Sequence, residues 1–222
     1  MNSVIRALAL VMIIAVSSAA VPVARPTTAE HQWTLGVIGA YDRVKIEGSR
    51  AREDGDLKSH LWIAEAAYGF NQDIEAVFKI GTSNDRYTNP GRPITFSSKF
   101  NWGLGLRGTM YESWRDWRIN GDLQYFTRPG RTWRNADVDI REWQMAVSVE
   151  HALREFHPYY GINYNRLDVR SNNRSIVPEM VNQNHFGVHL GAGFSRSEDW
   201  SFLVEARFLN ATAFAAGATF HF

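Results

Sequence analysis

The chain has 222 residues, a formal net charge of +1, 13% aromatic residues and no cysteine. The absence of cysteine excludes disulfides, thiolate metal sites and a lipid-modified N-terminal cysteine. Neither sign of charge dominates, so composition gives no reason to expect a nucleic-acid partner. The length suits a single domain with a sizeable core.

The first twenty residues have the three parts of a secretory signal. Arg6 supplies a positive start, Ala7 to Val16 form an apolar run, and Ser18-Ala19-Ala20 form a small-residue cleavage site. An uncleaved anchor is the alternative, but the run is shorter than the roughly 20 residues that a spanning helix needs. We therefore predict a signal peptide at 1–20, a flexible leader at 21–31 and one membrane domain at 32–222.

The rest of the chain alternates apolar and polar residues with a period of two, which predicts strands with one apolar face. The predicted strands, in chain order, are Trp33–Arg43, His60–Phe70, Ile74–Ser83, Lys99–Tyr111, Asp116–Thr127, Ile140–His151, Tyr159–Val169, His185–Arg196, Trp200–Leu209 and, after a break at Asn210-Ala211, a last strand ending at Phe222. Long loops are predicted at Val44–Asp56, around Pro90–Pro93, at Arg128–Asp139 and at Arg170–Asn184.

Long and short connections alternate through the first eight strands, as in an up-and-down transmembrane β-barrel. The fold class is therefore predicted as all-β, an antiparallel barrel of ten strands. The tight turn at Asn210-Ala211 does not fit, because it falls on the long-loop side. An eight-stranded barrel is the alternative, if two of the middle strands do not cross the membrane.

A soluble barrel or sandwich would show the same alternation with its apolar face inward. Three details favour the membrane. Trp and Tyr recur near the ends of the apolar faces, as in an interfacial girdle, and the chain ends on Phe222. Glycines also collect on the polar face, where we expect them to make room for long arginine side chains: Gly103, Gly105, Gly187, Gly191 and Gly193.

Two stretches resemble a known family. "HFGVHLGAGFSR" from His185, continuing to the end of the chain, and "PYYGINYNRLDV" from Pro158 resemble strands of the OmpA/OmpX-like outer-membrane β-barrels, a family that includes opacity-type porin-family proteins. The resemblance implies the fold and a location in the outer membrane of a Gram-negative-type bacterium, and it does not imply an activity. It also implies that Phe220 and Phe222 are the assembly signal that the barrel-assembly machinery reads. The apparent extra hairpin departs from the family's eight strands.

The inward face carries ionisable residues that we predict to form a charge network in the lumen. Its predicted members are Glu65, Glu75, Lys79, Arg107, Arg118, Asp122, Glu142, Glu205 and Arg207. Such a network either conducts ions or fills a narrow barrel with paired charges, and we favour the filled lumen. No metal cluster, nucleotide loop or cofactor motif occurs in the sequence.

Arginines in the long loops could hold lipopolysaccharide phosphates, because a guanidinium pairs bidentately with phosphate. The candidates are Arg128, Arg131 and Arg134, although acidic residues share the same loops. For catalysis, Ser59-His60 is the adjacent Ser/His pair on the loop side, and His185 is the other histidine there. Adjacency in sequence does not define a triad, so no catalytic residue is assigned.

These observations lead to three hypotheses. The first is a non-enzymatic outer-membrane barrel with a structural or surface-interaction role. The second is a small-solute channel, and the third is a lipid-modifying enzyme or protease. The expected partners are outer-membrane lipid, lipopolysaccharide and, during insertion, the assembly machinery; we expect a monomer.

Overall fold

The computed structural model describes residues 30–48, 54–89, 92–113, 116–133, 136–173, 177–195 and 199–222. The predicted signal peptide and residues 21–29 of the predicted leader lie outside these ranges. Within them, no helix is long and apolar enough to cross a membrane. The strands are β1 (Trp33–Gly48), β2 (Gly55–Gly69), β3 (Ile74–Asn89), β4 (Arg92–Glu112), β5 (Trp117–Trp133), β6 (Ala136–His151), β7 (Phe156–Ser171), β8 (Met180–Asn182), β9 (Phe186–Ser195), β10 (Trp200–Phe208) and β11 (Thr212–His221).

Ten of these strands form a closed antiparallel barrel. Each long strand pairs with the next, and β11 closes the ring by pairing with β1 from Thr34–His221 to Arg43–Thr212. Backbone hydrogen bonds between Trp33 and Phe222 hold the two ends of the barrel chain together. We call the end with Trp33, Phe222 and the short turns the periplasmic end, as in other barrels of this kind. The prediction of ten strands is confirmed.

The short strand β8 explains the turn that did not fit. β9 begins opposite Tyr164 and β11 begins opposite Arg43, so β9, β10 and β11 stop before the upper end of the wall. β8 pairs with β1 through Ile46–Gly48 and with β7 through Asp168 and Val169. One three-residue strand thus replaces three strands, and the barrel has ten strands below this level and eight above it. The turn at 209–211 lies at this step.

The strands extend well past the predicted boundaries at the upper end. Most of the segments predicted as loops at Val44–Asp56 and Arg128–Asp139 are strand, so those loop predictions are wrong. Along β1 the outward side chains are apolar up to Tyr41 and charged from Arg43 onward, while Val44 and Ile46 are buried inside. The alternation therefore continues, but the two faces exchange polarity where the strand leaves the membrane.

Two aromatic belts mark the edges of the apolar outer surface. At the periplasmic end Trp33 contacts Tyr68, with ring centroids 5.0 Å apart. At the upper end Tyr125 contacts Trp143 at 4.7 Å. On β1 the belts lie at Trp33 and Tyr41, which are separated by about 26 Å of strand. This is of the order of the apolar band of transmembrane barrels.

The interior changes character with height. Its lower and middle part holds buried charged and amide side chains. Its upper part holds an apolar core formed by residues of β1 to β4, β6 to β8 and β11 and of the segments just before β8 and β11: Val44, Ile46, Leu57, Tyr87, Ile94, Phe96, Ala136, Val138, Ile140, Leu167, Val169, Val177, Met180, Ala211 and Ala213.

Candidate functional site: the barrel lumen

Arg107 is the centre of the lower charge network. Its Nη2 donates to Glu65 Oε1 at 2.5 Å, and its Nε lies 2.6 Å from Glu75 Oε1. Lys79 Nζ lies 3.1 Å from the second oxygen of Glu65 and donates to Gln124 Oε1 at 2.6 Å. All these side chains are buried. They come from β2, β3, β4 and β5, so the network joins neighbouring strands across one wall of the lumen.

A chain of hydrogen bonds continues from this wall to the opposite one. Gln124 donates to Asp122 at 2.5 Å, and Gln144 donates to the other Asp122 oxygen at 3.2 Å. Arg207 donates to Gln144 Oε1 at 2.6 Å and to Glu205 Oε1 at 2.7 Å. Since Arg207 lies on β10, the chain of side chains spans the lumen. Charged groups in so confined a space need partners, and Asp122, Glu205 and Arg207 have them in this chain of hydrogen bonds.

A second cluster lies higher, around Asp85. Arg128 Nη1 donates to Asp85 Oδ1 at 2.9 Å and to Ser59 Oγ at 3.0 Å, and its Nη2 donates to Glu142 at 3.2 Å. Arg131 Nη1 lies 2.8 Å from the other Asp85 oxygen. Arg128 and Arg131 are 1% and 0% exposed. The prediction that these two arginines contact lipopolysaccharide phosphates is therefore wrong, because both lie inside the barrel.

A bulge in β5 turns both arginines inward. The register of β5 and β6 shifts between Arg128 and Arg131. Gly130, within the bulge, has a φ of 61° and its N–H donates to Asp139 Oδ1 at 2.8 Å. Residues three apart on a regular strand face opposite sides, so the extra residue is what brings both side chains into the lumen. The third predicted arginine, Arg134, lies outside the described residues.

Arg118 does not belong to the buried network. Its Nη2 and Nε donate to Glu112 Oε1 at 2.6 and 2.8 Å. The two side chains are 29% and 52% exposed at the periplasmic rim. The prediction of Arg118 as a member of the lumen network is wrong, because Arg118 lies at the rim, nearer to the periplasm than the buried charged side chains. Glu65, Glu75, Lys79, Asp122, Glu142, Glu205 and Arg207 are all buried inside the barrel.

The inward glycines make room for different side chains from those predicted. A Cβ on Gly103 would collide with the Phe126 ring, and one on Gly191 would collide with the Tyr159 hydroxyl. Tyr159 uses that hydroxyl to donate to Glu205 Oε2 at 2.8 Å. The space left by Gly191 therefore serves an aromatic residue rather than an arginine.

Sequence reasoning missed a polar cluster at the periplasmic mouth. Ser201 Oγ lies 2.7 Å from His221 Nε2 and 2.7 Å from Thr219 Oγ1, and His221 Nδ1 lies 3.1 Å from Thr34 Oγ1. A neutral imidazole can accept from one hydroxyl and donate to the other. Its second nitrogen faces a threonine rather than a carboxylate, unlike the His of a catalytic triad. Alternation alone places these residues inward, but only the pairing of β10, β11 and β1 brings them together.

The adjacent Ser59 and His60 face opposite sides of the wall. Ser59 is buried and accepts a hydrogen bond from Arg128. His60 is on the outer face, with its ring 5.1 Å from that of Tyr41. Neighbours in a strand point in opposite directions, so they form no dyad. His185 contacts the outward ring of Tyr164 at 5.5 Å.

Phe220 and Phe222 lie at the periplasmic end of the barrel. Phe220 contacts Trp200 with ring centroids 5.1 Å apart and Phe222 with centroids 5.6 Å apart. Among the residues that the structure describes, no group of three or more His, Cys, Asp or Glu is placed to hold a metal ion.

Comparison with solved structures gives outer-membrane β-barrels. An outer membrane channel from Pseudomonas putida F1 is similar with a TM-score of 0.51 and 8% identity, over 91% of this chain and 97% of that one. The outer membrane protease OmpT from Escherichia coli has a TM-score of 0.45 and 11% identity, over 86% and 97% of the two chains. Ail, the attachment invasion locus protein of Yersinia pestis, has a TM-score of 0.39 and 11% identity, over 87% and 99%.

No family model matches the chain, and no curated protein matches it. The likeness to the channel shows the fold alone. That fold, together with an outer surface whose apolar side chains lie between two aromatic belts, is what a bilayer requires of a β-protein. The chain is a ten-stranded antiparallel β-barrel of the outer membrane of a Gram-negative bacterium.

Proposed function

We propose that this protein is a non-conducting, non-enzymatic outer-membrane barrel with a structural or surface-interaction role in the envelope. The observation that carries the proposal is the filling of the lumen at two levels. Charged and amide side chains cross the middle of the lumen, above a cavity at the periplasmic mouth that Glu65, Arg107 and Ser201 line. Apolar side chains fill the part above. A narrow barrel filled in this way stabilises its wall instead of leaving a path for solutes.

The upper filling is a hydrophobic core in the ordinary sense. Ile46, Leu57 and Phe96 are each at most 1% exposed, and Met180 from β8 packs among them. Hydrated ions cannot cross an apolar constriction without losing water, which is costly. The strands that surround this core continue above the upper aromatic belt and present charged side chains outward, which suits contact with other molecules at the cell surface.

Conductance of the reconstituted barrel tests the proposal. The mature chain, refolded and inserted in planar bilayers, should show no steady current, and neither should Arg118→Gln, which alters a rim cation outside the network. Heat-modifiable migration of the same preparation checks that the barrel is folded and inserted. A steady unitary conductance of the wild-type protein would overturn the proposal.

A small-solute channel is the second candidate, and one observation favours it. Among the described buried side chains there are eight carboxyl groups, against five Lys and Arg: Asp42, Glu65, Glu75, Asp85, Asp122, Glu142, Glu150 and Glu205, against Lys79, Arg107, Arg128, Arg131 and Arg207. A lumen with this excess would select cations. If current is seen, its reversal potential in a KCl gradient should be that of a cation-selective pore.

The enzyme hypothesis loses the pair on which it depended, since Ser59 and His60 face opposite sides of the wall. A relationship to the OmpA/OmpX-like family, a monomeric state and recognition of Phe220 and Phe222 by the assembly machinery remain proposals. They rest on the resemblance of the last strands and on the position of the two rings at the periplasmic end. Replacing both rings by alanine should slow insertion in cells while leaving refolding in detergent nearly unchanged.

A further inference from the structure

Three cations lie side by side on the outer surface of β1, β2 and β3. Arg43 is directly opposite Lys58, and Lys58 is directly opposite Arg86. Alternation places all three outward, and Arg43 and Arg86 are exposed. Side chains opposite one another on neighbouring strands are separated by about 5 Å. We call these three residues the basic row.

Of the three cations in the row, Arg43 alone has a carboxylate partner among the described residues. Arg43 donates to Asp56 Oδ2 at 2.6 Å, and this hydrogen bond raises the pKa of Arg43. Asp56 is itself opposite Lys45, a further outward cation one step higher on β1. Like charges directly opposite on neighbouring strands are destabilising. A row of this kind is therefore favourable when an anion lies against it.

The other side of the barrel provides a contrast at similar height. Arg141 Nη2 lies 3.6 Å from Asp139, and Arg166 Nε lies 3.4 Å from Asp168. In the register of β6 and β7, Arg141 is opposite Asp168 rather than another cation. Each of these arginines has a carboxylate on its own strand. Lys58 and Arg86 have none within salt-bridge distance in the described part of the chain, so the β1–β3 wall carries more unpaired positive charge.

The height of the row indicates what lies against it. On β1 and β2 the cations are the first outward residues above the ring contact between Tyr41 and His60. Aromatic belts lie at the headgroup level of a bilayer, so the basic row faces the headgroups of the outer leaflet. At the periplasmic end, the outermost outward positions of β1 and β2 hold Trp33 and Tyr68 instead.

We propose that the basic row binds a phosphate group of an outer-leaflet glycolipid. The two guanidinium groups can each pair bidentately with phosphate oxygens, and the ammonium of Lys58 lies between them as a point charge. The site is independent of the lumen, so it stands whether or not the barrel conducts. It also replaces Arg128 and Arg131, which are buried, as the place where the barrel meets phosphate.

The test uses the refolded mature chain in neutral detergent, with bis-phosphorylated lipid A as the probe. The double variant Lys58→Gln/Arg86→Gln removes two charges from the row. The matched control Arg141→Gln/Arg166→Gln removes two charges at similar height on the opposite wall. Binding is measured by lipid titration, and stability by the thermal midpoint of heat-modifiable migration, with and without the lipid.

Without lipid, the row variant should melt at the same temperature as the wild type or higher, because repulsion between the cations is removed. With lipid, the wild type and the control should gain stability, and the row variant should bind at least about tenfold more weakly, as expected for the loss of one charge-assisted hydrogen bond. The row variant is thus expected to be at least as stable as the wild type without lipid and to gain less stability when lipid is added. A purely structural role of the row would instead lower the stability of the variant in both conditions.

Three results would overturn the proposal. The row and control variants could lose affinity equally, which would indicate a non-specific attraction to anionic surface. Dephosphorylated lipid A could bind as well as the phosphorylated form. Inorganic phosphate at the same concentration could reproduce the gain in stability, in which case the site binds a soluble anion and not a lipid.

Discussion

Arg107 shows what a single side chain does in this lumen. Its guanidinium lies between Glu65 and Glu75, and both carboxylates are buried with it. A buried ion pair adds little to stability compared with apolar residues of the same shape. Removal of one partner is strongly destabilising, because the remaining charge is then buried without a counter-charge. Replacing the whole ion-pair network by apolar residues would therefore cost little stability, whereas removing one of its members would cost much more.

Arg107→Gln should lower the free energy of unfolding by about 3–5 kcal/mol, the usual cost of removing one partner of a buried pair. Urea titration of the refolded barrel, followed by tryptophan fluorescence, measures the change. Arg118→Gln is the matched control, since its pair with Glu112 is partly exposed at the rim, and it should cost at most about 1 kcal/mol. Equal effects of the two variants would show that Arg107 does not stabilise the fold.

Among the elements, β8 closes the upper wall with only three residues. The side chain of Asn182, in this strand, makes three hydrogen bonds. Its amide donates to the backbone oxygens of Asn165 and Asn184 at 2.8 Å each, and its Oδ1 accepts from Leu167 N at 3.0 Å. The residue is buried at the point where ten strands become eight. Its hydrogen bonds attach β8 to β7, where the two strands share only two residue pairs.

Asn182→Ala should destabilise the barrel by about 2–4 kcal/mol, since three hydrogen bonds are lost and buried backbone groups are left without partners. Limited proteolysis should cut between β7 and β9 sooner than in the wild type. Asn184→Ala is the control, because Asn184 makes one long hydrogen bond to Leu209 O at 3.4 Å and is exposed. If cleavage rates of the two variants were alike, β8 would not depend on Asn182.

For the molecule as a whole, the organising fact is the exchange of polarity between the two faces. In the membrane the apolar face is outward, as at Phe78 and Leu104. Above the membrane it is inward, as at Phe96 and Leu167. Each of the strands β1 to β7 thus belongs to a transmembrane barrel along one part of its length and to a water-soluble barrel along the other. The surroundings of the barrel cause this exchange. In the membrane the apolar side chains face hydrocarbon, whereas above it they are buried inside the barrel, away from water.

Phe78→Lys places a charge on the lipid face within the outward apolar stretch of β3, which runs from Ile74 to Ile80, and should cost about 2–4 kcal/mol of stability in the bilayer. Thr88→Lys is on the same strand and the same face above the membrane, and should cost almost nothing. Reversible urea unfolding from vesicles measures both. Were the two variants to lose stability equally, the assignment of the outer face to lipid would fail.

The sequence by itself determined the long strands and the sidedness of the transmembrane part and favoured ten strands over eight, because a period of two and the local run of apolar residues are properties of neighbours in the chain. It also placed Glu65, Lys79 and Arg107 on the inward face. It did not reveal where the strands end, since charged outward residues such as Arg43 and Lys45 have the composition of a loop.

Only the tertiary structure decided which residues meet. The bulge at Gly130, the opposition of Arg43, Lys58 and Arg86, and the contact of Ser201 with His221 all depend on the register between strands. Register is fixed by packing around the whole ring, not by any one segment. A barrel also closes through its first and last strands, so the contact of β1 with β11 joins residues nearly the whole domain apart in sequence.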